Sequence, residues 1–95
     1  MGNVRSGRAI DAALRKKGFM RDSDGKHLRY FFTLPDGSPS GIDTLMSQGA
    51  FGETIGAPLI SHMSRQLRLT KSQFLELVDC TLDETGYREI LEERS

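Results

Sequence analysis

The stretch Gly25-Lys26-His27-Leu28-Arg29-Tyr30-Phe31-Phe32-Thr33-Leu34 decides the fold of this 95-residue chain. Successive side chains of a strand point to opposite faces of its sheet. The pattern therefore predicts a strand over residues 27–34, with a core face formed by Leu28, Tyr30, Phe32 and Leu34. The opposite face of that strand carries His27, Arg29, Phe31 and Thr33.

Turn-forming residues stand on both sides of this stretch. Asp22-Ser23-Asp24-Gly25 precedes it and Pro35-Asp36-Gly37 follows it. Asp-Gly and Pro-Asp-Gly steps favour tight reversals of the chain. We therefore expect flanking strands at residues 19–21 and 41–47, which complete a three-stranded antiparallel sheet. In the strand over 41–47, Ile42, Thr44 and Met46 share one face.

Helices are predicted before and after the sheet. Ile10, Ala13, Leu14 and the stem of Lys17 lie on one side of a helix over residues 6–17, and Gly18 is a natural stop for it. Pro58 at a first turn and a Thr70–Gln73 capping box mark two later starts. The later helices are predicted at residues 58–67, at 70–79 and from Thr81 onwards. This order predicts the α+β class.

Length and composition limit the classes of protein. The chain has 13 Lys plus Arg against 13 Asp plus Glu, is 37% hydrophobic and contains one cysteine. We expect one domain over residues 1–95, with residues 1–5 and 92–95 frayed. A lone cysteine excludes an internal disulfide, and no apolar run is long enough for a membrane span. Without a signal-peptide pattern, the cytoplasm is the expected location.

No metal site or cofactor is predicted. His27 and His62 lie 35 positions apart in the sequence, and with Cys80 they make a weak ligand set. His62 falls at the border of the apolar side of its helix, where a histidine is usually a surface residue.

Charge is divided unevenly along the chain. Residues 1–40 hold eight basic and four acidic residues, whereas residues 41–95 hold five basic and nine acidic residues. Such a division can mark a half that faces nucleic acid and a half that faces a partner. The helices at 58–67 and 70–79 could form a helix-turn-helix, but Glu76 and Asp79 would repel phosphate. We therefore expect no DNA contact.

Two short motifs resemble those of the HicA family of bacterial and archaeal toxins. One is the helix that ends in Lys17-Gly18-Phe19, and the other is the step Gly25-Lys26-His27 that opens an aromatic strand. The stretch from Leu59 to Val78 is also similar to the helical end of HicA-like proteins. The family has a fold of double-stranded-RNA-binding type, with a Gly-Ser-His element at the start of the second strand. The resemblance implies an RNA-cutting toxin of a toxin-antitoxin pair, silenced by a HicB-like antitoxin.

The resemblance assigns the catalytic role to His27, the histidine that the family needs for cleavage. An imidazole can also take the proton from a ribose 2′-OH as that oxygen attacks the adjacent phosphate, without any metal. Lys26 and Arg29 are predicted to hold phosphate, and Phe31 to stack on a base. Arg8 and Arg15 extend the expected RNA footprint, so we expect the four basic residues on one connected surface.

The chain departs from the family at two positions. Many members carry Ser-His-Gly where the third strand ends, whereas this chain has Ser47-Gln48-Gly49. Lys26 stands where the family has serine. These differences leave a second function open, a non-catalytic domain of the same fold that binds RNA or a protein, in which His27 is incidental. Of the two functions, the sequence favours the endoribonuclease, with His27 as general acid or base.

Overall fold

A computed structural model describes residues 4–23, 25–79 and 81–94 of the chain. Its elements are β1 (Arg5–Ser6), α1 (Gly7–Lys16), β2 (Phe19–Ser23), β3 (His27–Thr33), β4 (Pro39–Ser47), a 3-10 helix (Gln48–Gly52), β5 (Thr54–Ile55), α2 (Ala57–Gln66), α3 (Lys71–Val78) and α4 (Glu84–Arg94). A helix is followed by three antiparallel strands and then by further helices. The predicted α+β class is confirmed.

The main sheet has the strand order β2-β3-β4, with both pairs antiparallel. Phe19 lies opposite Phe32, and Leu28 lies opposite Met46. A second sheet contains only β1 and β5, in which Arg5 pairs with Ile55. This short pairing was not predicted, because neither two-residue strand is long enough to show an alternating pattern.

The helices cover one face of the main sheet, which we call the inner face. The predicted core residues Leu28, Tyr30 and Phe32 are buried there. Phe32 lies with its ring centroid 4.9 Å from those of both Phe19 and Tyr87, so strand and helix rings form one aromatic cluster. Met46 and Thr44 of β4 are buried on the same face, as the alternation predicted.

The predicted burial of Leu34 is wrong, since 44% of this residue is exposed. The register of β3 and β4 shifts between Phe32 and Thr33, and β3 ends at Thr33. The amide of Leu34 donates to the carbonyl of Ser38 at 2.8 Å, and Gly37 donates back to Leu34 at 2.8 Å. Leu34 therefore belongs to a turn, where strand alternation no longer sets the direction of a side chain.

Regular elements extend into both segments that were predicted to fray. Arg5 lies in β1, and its guanidinium donates to the Asp79 carboxylate at 2.6 and 2.7 Å. Helix α4 continues through residues 92–94. The remaining residues of the two predicted frayed ends, 1–3 and 95, lie outside the described part of the chain.

Two charged side chains are buried where α1 meets the rest of the fold. The Asp11 carboxylate accepts a hydrogen bond from the Tyr30 hydroxyl at 2.6 Å and another from Arg21 at 3.0 Å. The Lys17 ammonium donates to the carbonyls of Leu77 at 3.3 Å and Leu82 at 3.0 Å. These contacts fix α1 against β3 on one side and against the ends of α3 and the following loop on the other.

No helix in the described ranges is long and apolar enough to cross a lipid bilayer.

Candidate functional site

The face of the main sheet that points away from the helices, which we call the outer face, carries the sequence-predicted residues His27, Arg29 and Phe31. Strand alternation places them opposite the buried Leu28, Tyr30 and Phe32. The neighbouring strands add Met20 and Leu45, which are 55% and 44% exposed. Asp22, Asp43 and Ser47 share this face, because they pair with Arg29, Phe31 and His27.

His27 opens β3 at one end of the sheet, where it is exposed and lies opposite Ser47 of β4. The amide of Gln48 donates to the carbonyl of Lys26 at 2.9 Å, and its side-chain amide donates to the Ser23 hydroxyl at 2.8 Å. Ser23, Lys26, His27 and Gln48 therefore meet at one edge, which we call the histidine end. Gln48 lies beside the start of the strand that His27 opens.

The local sequence explains this meeting of the three strands. Gly25 has a φ of 84°, a left-handed conformation that favours glycine, and it lets the chain reverse just before Lys26. At the end of β4, the Ser47 hydroxyl accepts from the amide of Ala50 at 3.2 Å and so starts the 3-10 helix. Both chain reversals occur at the same end of the sheet, which brings Lys26 and Gln48 into contact.

Arg29 and Phe31 contact each other on the outer face. The Arg29 guanidinium carbon lies 5.0 Å from the centre of the Phe31 ring, within the range of a cation–π interaction. Arg29 also donates from Nε to the Asp43 carboxylate at 2.8 Å. The charge of Arg29 is therefore partly compensated by an acidic residue that the sequence prediction did not include.

Arg8 lies on α1 and contacts the 3-10 helix that follows the histidine end. Its guanidinium carbon lies 4.8 Å from the centre of the Phe51 ring, in the 3-10 helix that begins at Gln48. A side chain at position 7 would collide with the backbone of Ala50 and Phe51, so Gly7 permits the close approach of α1 to this helix. Arg8 thus contacts the 3-10 helix that begins at Gln48.

Arg15 lies elsewhere, on the part of α1 that packs over the inner face. Its guanidinium is 3.5 Å from the Asp11 carboxylate, which also binds Tyr30 of the inner face. Arg29 points to the outer face. The predicted single surface of Arg8, Arg15, Lys26 and Arg29 is therefore wrong, because the sheet separates Arg15 from Arg29.

Several residues of the site escaped sequence reasoning, among them Ser23, Asp43 and Phe51. Asp43 could have been found from the alternation of β4, which gives it the same face as Leu45. The contact of Phe51 with Arg8 joins residues 43 positions apart and leaves no local signal. Ser23 lies in a sequence that favours a turn, so its pairing with Leu28 of β3 was not predicted.

The other histidine, His62, is exposed on α2. Within residues 4–23, 25–79 and 81–94, no three His, Cys, Asp or Glu side chains come together as a metal-binding group. Cys80 lies outside these ranges. Comparison of the chain with protein-family models, with curated proteins and with solved structures finds no match.

Proposed function

We propose that this chain is an RNA-binding domain of HicA type that cuts single-stranded RNA at the histidine end without a metal ion. The observation that carries the proposal is the exposed position of His27 beside Lys26, at an edge where the amide of Gln48 binds the carbonyl of Lys26. Arg8 contacts Phe51 in the 3-10 helix that begins at Gln48. An imidazole and cationic side chains on one accessible edge are the groups needed to bind a phosphodiester and move its protons.

The reaction is an internal displacement at phosphorus. His27 takes the proton of a ribose 2′-OH while that oxygen forms a bond to the adjacent phosphorus atom. The bond from phosphorus to the 5′-oxygen breaks, and this oxygen takes up a proton from solvent water as it leaves. The products are a 2′,3′-cyclic phosphate and a 5′-hydroxyl. The Lys26 ammonium stabilises the negative charge that builds on the phosphate oxygens.

The outer face offers a surface for the nucleotides beside the cleaved bond. Phe31 is four residues from His27, about 13 Å along the strand. Its ring is half-buried and carries the Arg29 guanidinium above it. An exposed base can stack on an aromatic ring or on a guanidinium plane, which is how proteins hold single-stranded RNA. The footprint we propose therefore comprises Arg8, Lys26, His27, Arg29 and Phe31.

A second function, protein binding without catalysis, is favoured by the apolar side chains of the outer face. Met20 and Leu45 are exposed there on either side of Phe31 and Arg29. Methionine and aromatic residues are enriched in protein interfaces. A HicB-like antitoxin that covered this face would hide His27, whereas a partner of a non-catalytic domain would leave His27 without a role.

The experiment compares wild type with His27→Ala, first by growth after induced expression and then by cleavage of single-stranded RNA in the presence of EDTA. We expect toxicity and 2′,3′-cyclic phosphate ends from wild type, and loss of both in His27→Ala with an unchanged thermal midpoint. His62→Ala is the matched control and should cut like wild type. Full cleavage by His27→Ala, or no cleavage by wild type, would leave only the binding function.

Gln48→His tests the departure from the family. If position 48 helps to protonate the leaving 5′-oxygen, this variant should cut faster than wild type, because glutamine does not titrate near neutral pH. An unchanged rate would confine the chemistry to His27.

A further inference from the structure

A cavity of about 430 Å³ lies at the opposite end of β3 from His27 and on the inner side of the sheet. It opens between the turn that follows β3, the start of β4 and helix α4. Its apolar wall is formed by Phe32, Leu34, Pro35, Ile42 and Leu91. A cavity of this size is typical of sites for small organic molecules.

Two arginines, Arg68 and Arg88, line the cavity together with the carboxylate of Glu92. A second carboxylate outside the lining, that of Glu84, partly compensates the charge of Arg88. Arg88 is held in place, since its guanidinium carbon lies 4.5 Å from the centre of the Phe32 ring. The same guanidinium donates to the Glu84 carboxylate at 2.8 and 3.2 Å. Arg88 therefore presents a preorganised guanidinium to the cavity, which reduces the entropy lost when it binds a ligand.

Arg68 occupies a backbone position that favours glycine. It follows the end of α2 with a φ of 65°, and it is the one non-glycine residue with positive φ in the described ranges. The next amide, that of Leu69, donates to the carbonyl of Ser64 at 2.9 Å, which is the hydrogen bond of a Schellman helix end. An arginine here costs stability relative to glycine, and its side chain lines the cavity.

We propose that this cavity binds a small organic anion, a carboxylate or phosphate carried on an apolar body. The head group contacts Arg68 and Arg88, and the apolar body packs against Leu34, Ile42 and Leu91. The exposed guanidinium of Arg68 beside that of Arg88, together with the apolar wall, favours such a ligand over a neutral or cationic one. The inference does not rest on the proposed RNA cleavage, because the site shares neither a residue nor an end of the sheet with His27.

The test is an NMR titration of amide shifts with three probes that share one apolar body, namely 4-phenylbutyrate, 4-phenylbutanol and 4-phenylbutylamine. We expect 4-phenylbutyrate to bind at least about 5-fold more tightly than the alcohol, and the amine to bind most weakly. The shifts should concentrate at Leu34, Ser40, Ile42 and Leu91. Equal binding of the three probes, no binding of 4-phenylbutyrate, or shifts confined to the outer face would overturn the proposal.

Three variants test the arginines. Arg88→Gln and Arg68→Gly should each weaken 4-phenylbutyrate binding about 2- to 5-fold, the effect of losing one partly exposed charge contact. Arg65→Gln, an exposed arginine of α2 outside the cavity lining, is the control and should bind like wild type. Arg68→Gly should also raise the thermal midpoint, because glycine suits the left-handed helix end. Unchanged binding by both cavity variants would show that the cavity is not the binding site. A lowered thermal midpoint in Arg68→Gly would contradict the statement that arginine is less stable than glycine at position 68.

Discussion

Phe31 and Phe32 are the same residue type at adjacent positions of β3, yet the two faces of the sheet give them different environments. Phe32 is 1% exposed and packs against two other aromatic rings, whereas Phe31 is half-buried under the guanidinium of Arg29. The inner face joins strands to helices. The outer face leaves its side chains accessible. One strand therefore supplies stability and a candidate binding surface through alternate residues.

The largest expected difference between the faces is in the two phenylalanines themselves. Phe32→Ala should lower the free energy of unfolding by about 3–5 kcal/mol, because it removes a buried ring from a packed cluster. Phe31→Ala should cost less than about 1.5 kcal/mol, since that ring is only partly buried and lies under the half-exposed side chain of Arg29. Urea denaturation of both variants measures the two values, and similar losses would show that the outer face is not open.

The strand alternation of the sequence was enough to predict these two environments. Leu28, Tyr30 and Phe32 were expected in the core and are buried there. The same alternation failed at Leu34, because the register shift at Thr33 and the Leu34–Ser38 hydrogen bond depend on where the chain turns back. A local pattern predicts the face of a residue only while the strand continues.

Two acidic residues extend the comparison from apolar to charged groups. Asp11 is buried, and Asp11→Ala should cost about 1–3 kcal/mol, because the Tyr30 hydroxyl would lose its acceptor in the interior. Asp43→Ala removes the ion pair with Arg29 on the outer face and should cost less than about 1 kcal/mol.

Thermal and urea unfolding of Asp11→Ala and Asp43→Ala measures the two losses in the free energy of unfolding. If the outer face binds RNA, Asp43→Ala should also bind RNA more tightly than wild type, because it leaves Arg29 uncompensated. That gain should disappear at high salt, where released counterions no longer favour the complex. A weaker complex would argue that Asp43 orients Arg29 toward RNA.

The dependence of the free energy of unfolding on alkaline pH tests whether the inner face excludes water from Tyr30 and Tyr87. Burial, and then the hydrogen bond to Asp11, raise the pKa of Tyr30 above the ordinary tyrosine value of about 10. Burial likewise raises the pKa of Tyr87. The neutral tyrosines stabilise the fold fully below pH 10, where the unfolded chain is also neutral, and this contribution is lost as the pH rises toward the folded-state pKa.

Each pH unit above 10 should therefore cost about 1.4 kcal/mol per buried tyrosine until the chain unfolds. The chain has only these two tyrosines, so tyrosinate absorbance should appear together with the loss of circular dichroism rather than before it. Absorbance that rises near pH 10 in the folded protein would show that the inner face admits water.

The smallest expected effect is that of Leu45→Thr. Leu45 is 44% exposed on the outer face, and threonine suits a strand, so the free energy of unfolding should change by no more than about 0.5 kcal/mol. The substitution removes an exposed apolar group without altering charge. RNA cleavage should be retained, whereas a partner protein seated on Leu45 should bind less tightly, as measured by calorimetry.

The candidate site was harder to predict from the sequence than the sheet. His27 and Phe31 follow from the alternation of one strand. The placement of Arg8 by Phe51, and the separation of Arg15 from Arg29, depend on how α1 crosses the sheet. The pairing of Arg29 with Asp43 depends on the register between β3 and β4. Contacts between distant parts of the chain determine where these arginines lie, so their positions could not be predicted from the number of charges in each half of the sequence.

The burial of the Lys17 ammonium has a consequence for the chemical reactivity of the chain. Of the four lysines in the sequence, Lys16 and Lys26 are exposed and Lys71 is half-buried, whereas the amine of Lys17 binds two backbone carbonyls in the interior. An acylating reagent reaches Lys17 only when α1 separates from the end of α3. The rate at which this amine is acylated therefore reports how often the first helix opens away from the C-terminal helices in the folded protein.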